Sequence, residues 1–118
     1  MKKNIVFTDS DLDGSMSYLL MSWCTTTTLP YKTTTVTKFE DDFVAWSRKN
    51  DISSYDNIYI LDLDVSQVTQ DLIDRSNVTI IDHHKTHVEN KHQYKHAKVF
   101  VTEYPSCAKL VTNSLKRN

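Results

Sequence analysis

Three short, unbroken apolar runs punctuate the chain, and each ends in acids or imidazoles. Ile5-Val6-Phe7 leads into Asp9-Ser10-Asp11-Leu12-Asp13-Gly14, Ile58-Tyr59-Ile60-Leu61 into Asp62-Leu63-Asp64, and Val78-Thr79-Ile80-Ile81 into Asp82-His83-His84. Runs of this kind predict strands buried on both faces. Between them, apolar residues recur at helical spacing. Met16, Leu19, Leu20 and Trp23 follow Gly14, and Phe39, Phe43 and Trp46 sit at helical spacing with acidic Glu40, Asp41 and Asp42 in the first turn, where they complement the helix dipole. Val65, Val68 and Leu72 mark a helix from Ser66 to about Arg75. The β-branched stretch Thr33 to Val36 predicts a modest second strand and Lys98 to Val101 a last one, with Thr25 to Thr28 a connection. After Pro105 and Ser106, the positions Ala108, Val111 and Leu115 predict a final helix. Alternating strands and helices imply right-handed βαβ units. The expected fold is therefore α/β, a Rossmann-like parallel sheet of about five strands with helices on both faces.

Composition narrows this picture. At 118 residues and 39% hydrophobic, the chain fits one domain spanning 1–118, without room for a second core. A formal charge of -1 means that no basic field advertises a long polyanion, so an anion must be gripped locally. The only glycine is Gly14, where average usage of roughly 7% would give about eight. Its place between the acidic segment and a helix start lets the backbone tighten and approach an anion. Cys24 and Cys107, far apart and outside any CxxC pattern, argue against a disulfide scaffold or structural zinc and read as small buried hydrophobes. That usage suits a reduced cytoplasmic setting. Nothing resembles a signal-peptide core or a span of about 20 apolar residues, so no membrane partner is expected.

In an open parallel sheet all strand carboxyl ends share one edge, where ligands bind at the switch point of the topology. The residues expected to meet there are Asp9, Asp11 and Asp13, then Asp62 and Asp64, then Asp82, His83 and His84. So many acids repel one another unless cations neutralise them. Carboxylate and imidazole without thiolate favour Mn²⁺, with Mg²⁺ or Co²⁺ as replacements and zinc less favoured. Two such ions about 3.5 to 4 Å apart would hold a hydroxide for in-line attack on phosphorus. His87, His92 and His96 fall in a polar, lysine-rich stretch, read as a solvated loop outside the ligand set.

In order, these three clusters resemble the first three motifs of the DHH phosphoesterase family, which includes RecJ-type exonucleases, oligoribonucleases, cyclic-dinucleotide phosphodiesterases and family II pyrophosphatases. The Asp11-Leu12-Asp13-Gly14 form looks most like the oligoribonuclease and RecJ branches. The resemblance implies metal ligation by Asp9, Asp11, Asp13, Asp62 and His83, with Asp62 bridging two ions. It implies that His84 contacts the scissile phosphate or completes the metal shell, that Asp82 orients the imidazoles, and that Ser106 lies at the small, hydroxyl-bearing fourth motif, a weak match beside Tyr104-Pro105. The activity implied is hydrolysis of phosphodiester or phosphoanhydride bonds in short oligonucleotides or nucleotides, catalysed by Asp62, His83 and His84.

Family enzymes carry a further acidic ligand and a separate C-terminal substrate domain, whereas the resemblance here covers only the N-terminal catalytic half. Three readings accommodate that: part of a longer enzyme, a small protein completed by a partner or a second copy, or a nucleotide- and metal-binding module without turnover. A response-regulator-like switch would share the strand-end acids but leave the paired histidines unexplained.

Overall fold

The strand at the amino end shows how an unbroken apolar run fixes its own surroundings. In a computed structural model of the chain, which describes residues 3–10 and 30–102, β1 (Asn4–Asp9) buries Ile5, Val6, Phe7 and Thr8 in succession. Successive strand side chains point to opposite faces, so four buried neighbours mean that both faces are covered.

The chain continues through β2 (Tyr31–Thr34), α1 (Phe39–Ser47), a 3₁₀ turn (Ile52–Ser54), β3 (Asn57–Leu61), α2 (Gln70–Ile73), β4 (Val78–Asp82), α3 (Lys85–Asn90), a second 3₁₀ turn (Lys91–Gln93) and β5 (Lys98–Val101). The five strands form one sheet of order β2-β1-β3-β4-β5, with every pair parallel. This is the expected Rossmann-like α/β architecture. The interior strands β1, β3 and β4 are the three apolar runs, while β2 and β5, each with a single buried residue, take the edges.

Register sorts the side chains into two layers. Ile5 pairs with Ile58 and Phe7 with Ile60, and these continue across the sheet to Val78 and Ile80. That face meets Phe39, Phe43 and Trp46 of α1 and Ile73 of α2 in one cluster, with Val88 of α3 against it. Phe7 is its centre. The ring stacks edge-on to Phe39 at 5.9 Å and Trp46 at 5.2 Å and is tilted against Phe43 at 5.2 Å, an aromatic packing that adds about 0.5–1.5 kcal/mol per pair to area burial. The alternate set Val6, Thr8, Leu61 and Ile81 on the other face is equally buried. The helices expected after Gly14 and after Ser106 lie outside the described residues, as do Cys24 and Cys107.

Two elements differ from expectation. β2 occupies Tyr31–Thr34 rather than Thr33 to Val36. Its register is set by β1, because the Val6 amide donates to the Pro30 carbonyl and pairing begins at Tyr31. The chain then turns at Thr35, whose carbonyl accepts from the Lys38 amide before α1, and Val36 is left half exposed. The helix expected from Ser66 shrinks to Gln70–Ile73. Ser66 instead closes a turn on Asp64, its amide and hydroxyl both donating to Oδ1, and Thr69 is extended at φ -54°, ψ 122°. Side-chain to backbone bonds of this type compete with helix. Val65 and Val68 reach the core from this irregular segment.

Just after α2, Asp74 accepts the amides of Lys95, His96 and Ala97 at 2.7–3.0 Å and so latches the entry to β5. Burial pushes this carboxyl up, but the three amides and the nearby His96 outweigh it and its pKa is lowered. A lowered folded pKa stabilises the native state above the unfolded value, and that contribution is lost as pH falls from about 4 through the folded value. Asp74→Ala is expected to cost about 1–2 kcal/mol at neutral pH. In acid titrations of stability followed by circular dichroism, Asp74→Asn should show a shallower loss below about pH 4 than the wild type.

Candidate metal centre

Parallel pairing lays three carboxylates along one edge of the sheet. Asp9 ends β1, Asp82 ends β4 and Asp62 immediately follows β3. The last paired residues are Thr8 with Leu61 and Leu61 with Ile81, and the Asp62 amide donates to the Ile81 carbonyl at 2.9 Å, so the three acids are neighbours at one level. The place is the topological switch point: β1 has β2 on one side and β3 on the other, and connections depart in opposite directions.

Asp62 takes φ 60°, the only positive φ at a non-glycine position among the described residues. The left-handed region costs an ordinary residue roughly 1–2 kcal/mol, less for Asp. Here it ends the pleat abruptly, and Leu61, Asp62 and Leu63 are all at most 1% exposed in consecutive positions. A strained backbone at a buried acid is the type of outlier that gathers at functional sites.

The histidines close on these acids. His83 places Nε2 3.2 Å from Asp62 Oδ1, and its ring lies against that of His84 at 4.6 Å between centroids. His84 donates Nδ1–H to Asp82 Oδ1 at 2.6 Å. Ligand atoms of Asp62, Asp82, His83 and His84 all lie within 4.8 Å of one another. Asp9, Asp62, Asp64, His84, Thr86 and Val36 line a cleft of about 250 Å³.

Two further residues join the site, His87 against the expectation from sequence and Asp64 from the expected strand-end set though not from the expected metal ligands. His87 is not on a solvated loop: it sits in α3, fully buried, with Nδ1 donating to Asp82 Oδ2 at 2.8 Å and Nε2 accepting from the Tyr94 hydroxyl at 2.7 Å. The surface reading failed because a polar, lysine-rich composition says nothing of which helical face turns inward. The available signal was spacing, since His84 and His87 stand three residues apart at a helix start, the N-cap and the third helical position. His92 and His96 are exposed, as expected. Asp64 is the second. It accepts from the Ser66 amide, the Ser66 hydroxyl and the Thr86 hydroxyl, and lies 3.7 Å from His87 Nδ1. Burial raises its pKa, but the Ser66 and Thr86 donors and the nearby His87 ring prevail and lower it. Asp64, Asp82 and His87 form a second group with ligand atoms within 4.8 Å.

Asp11, Asp13, Gly14 and Ser106 lie outside the described residues. The remaining donors suit a hard or borderline divalent cation, being carboxylate and imidazole only. Four carboxylates surround the cleft and adjoining network, and among the described residues no Lys or Arg lines it. Partly buried charge of one sign calls for a counter-ion. The residues therefore fit a metal centre, while the identity of the ion is left open by the donor set. Compared with known proteins, the chain matches no family model and no curated protein.

The strained backbone at Asp62 is directly testable. Asp62→Gly and Asp62→Ala both remove the carboxylate, but only glycine takes φ 60° freely. In chelator, Asp62→Gly should be about 1 kcal/mol more stable than Asp62→Ala, read as a Tm several degrees higher. Equal melting temperatures would show that the left-handed turn carries no strain.

Proposed function

We propose that this chain is a metal-dependent phosphoesterase module of the DHH type, acting on a short oligonucleotide or a nucleotide phosphate. The observation that carries the reading is the convergence of Asp62, Asp82, His83 and His84 on one point at the switch-point edge, with Asp9 in the same cleft. The order of acids and histidines along the chain matches the motif order of that family, which adds support from the sequence.

The candidate holders of cations are Asp9, Asp62 and His83 among the described residues, with Asp11 and Asp13 expected from the preceding segment. Divalent ions, when bound, supply neutralisation of phosphate charge and activation of water. The protein's own groups do the rest. Asp62 stands between Asp9 and Asp82, the place from which one carboxylate can serve two ions. Asp82, fully buried, holds the His84 ring through Nδ1 and leaves Nε2 as the nitrogen for a ligand. Carboxylate–imidazole pairs of this kind set the tautomer and raise ligand basicity. Asp64 is held by hydroxyls and an amide, so its negative charge adds to the field without needing a cation of its own.

Substrate size follows from the surroundings. A cleft of about 250 Å³ lies below the roughly 300–1,000 Å³ of ordinary ligand pockets, which suits a phosphate group with its ions. A net charge of -1 and a lining that, among the described residues, has no Lys or Arg give little support to binding of a long strand, which demands many cationic phosphate contacts. These features favour mono- and dinucleotide substrates.

The test is Mn²⁺-dependent release of mononucleotide from a dinucleotide, with Mg²⁺ and Co²⁺ in parallel. Asp62→Asn and His83→Ala are expected to lower the rate by about a hundredfold or more while leaving the circular dichroism spectrum intact. Equal rates in the wild type and both variants would place the chemistry elsewhere. Calorimetric binding of Mn²⁺ and nucleotide without turnover in any metal would instead identify a binding module.

A further inference from the structure

Behind the proposed centre Asp82 belongs to a buried network whose further members, His87 and Tyr94, have no part in the metal-binding roles above. Asp82 is 0% exposed, and each of its carboxylate oxygens is taken by a different imidazole: Oδ1 by His84 Nδ1 and Oδ2 by His87 Nδ1. A carboxylate only accepts, so both nitrogens must carry hydrogen. His87 Nε2 is then the acceptor in its 2.7 Å bond with Tyr94, whose hydroxyl donates. Burial, with Asp64, Asp82 and Asp74 nearby, pushes the Tyr94 phenol well above its ordinary pKa, which keeps it a neutral donor. The hydrogen bonds thus run in one sense, from Tyr94 to His87 and from His87 to Asp82.

We propose that His87 and Tyr94 are positioning residues that lock Asp82, so that His84 is held as the Nδ1–H tautomer with its Nε2 lone pair free for a divalent cation or its ligand. This deepens the proposed metal-dependent reading and rests on it. With Oδ1 alone engaged, the carboxylate could turn about its own axis and release His84, whose side chain is nearly half exposed and caps no amide of α3. Engagement of Oδ2 removes that freedom. The lock also ties α3 to the sheet, because His84 and His87 share its first turn, where the His84 carbonyl accepts the His87 amide at 3.0 Å. Tyr94 completes it from beyond the second 3₁₀ turn, its ring 5.7 Å from the imidazole.

Two readouts separate positioning from mere stability. Long-range ¹H–¹⁵N correlation spectra of the full chain, labelled at histidine, metal-free and in mildly alkaline buffer, report the His84 tautomer directly. The wild type should show His84 and His87 with hydrogen on Nδ1. His87→Leu should move His84 to a mixture of tautomers, and Tyr94→Phe should move it less far in the same direction. His87→Asn, which keeps an N–H near the Nδ1 position, should restore the wild-type pattern. In parallel Mn²⁺ titrations followed by electron paramagnetic resonance, His87→Leu should weaken binding roughly tenfold to a hundredfold, with most of the loss recovered by His87→Asn. An unchanged His84 tautomer and unchanged Mn²⁺ affinity in His87→Leu would overturn the proposal. If His87→Leu does not fold, an unchanged tautomer in Tyr94→Phe overturns it instead. A wild-type chain that shows the expected tautomers but binds no Mn²⁺ would refute the metal-dependent reading and leave the lock standing.

Discussion

Parallel pairing of β1, β3 and β4 is the constraint on which the rest of the molecule depends. Parallel strands place all their carboxyl ends on one edge, so whatever polar residues follow each apolar run are brought together without any further instruction. The pairing is driven by burial on both faces: Ile5, Phe7, Ile58 and Ile60 pack against the aromatic face of α1, while Val6, Thr8, Leu61 and Ile81 are buried on the other side. The register follows from that burial, since a slip of one residue would exchange the two faces. Asp9, Asp62 and Asp82 are neighbours because their strands are locked in this register.

Bringing acids together raises their mutual repulsion, and the local structure offsets it differently at each one. Asp64 is met by two hydroxyls and an amide, Asp82 by two imidazoles, and Asp62 by His83 at 3.2 Å. Asp62 also holds a left-handed backbone. Local choices that run against intrinsic preference are expected where function competes with stability. Asp74, at the opposite, amino end of the strands where the chain enters β5, uses backbone amides to the same end, and there the outcome is purely architectural.

Most of the fold was legible from periodicity. The runs at 57–61, 78–82 and 98–101 are strands, and Phe39, Phe43 and Trp46 are buried on one helix, because long apolar runs and helical stripes have few ways to be hidden from water. Legibility failed where a local hydrogen bond competed with the pattern, as when Ser66 turned onto Asp64 and delayed the helix to Gln70. It failed again at β2, where the polar sequence between Pro30 and Val36 permits several registers and the neighbouring strand selects one. Within the candidate site, Asp62, Asp82, His83 and His84 were readable from their place after apolar runs. His87 was not, since its burial depends on how α3 packs, and the polar residues around it concealed that.

The sequence by itself determined that apolar runs would be strands in a parallel α/β sheet and that acids and paired histidines would follow them. Those conclusions rest on hydrophobic burial, which is read from residue type and spacing alone. The tertiary structure decided which carboxylate faces which imidazole, that His87 and Tyr94 stand behind Asp82, and that Asp62 turns left-handed to enter the interior. These depend on distances between segments remote in the chain, and hydrogen bonds are far more sensitive to such distances than burial is.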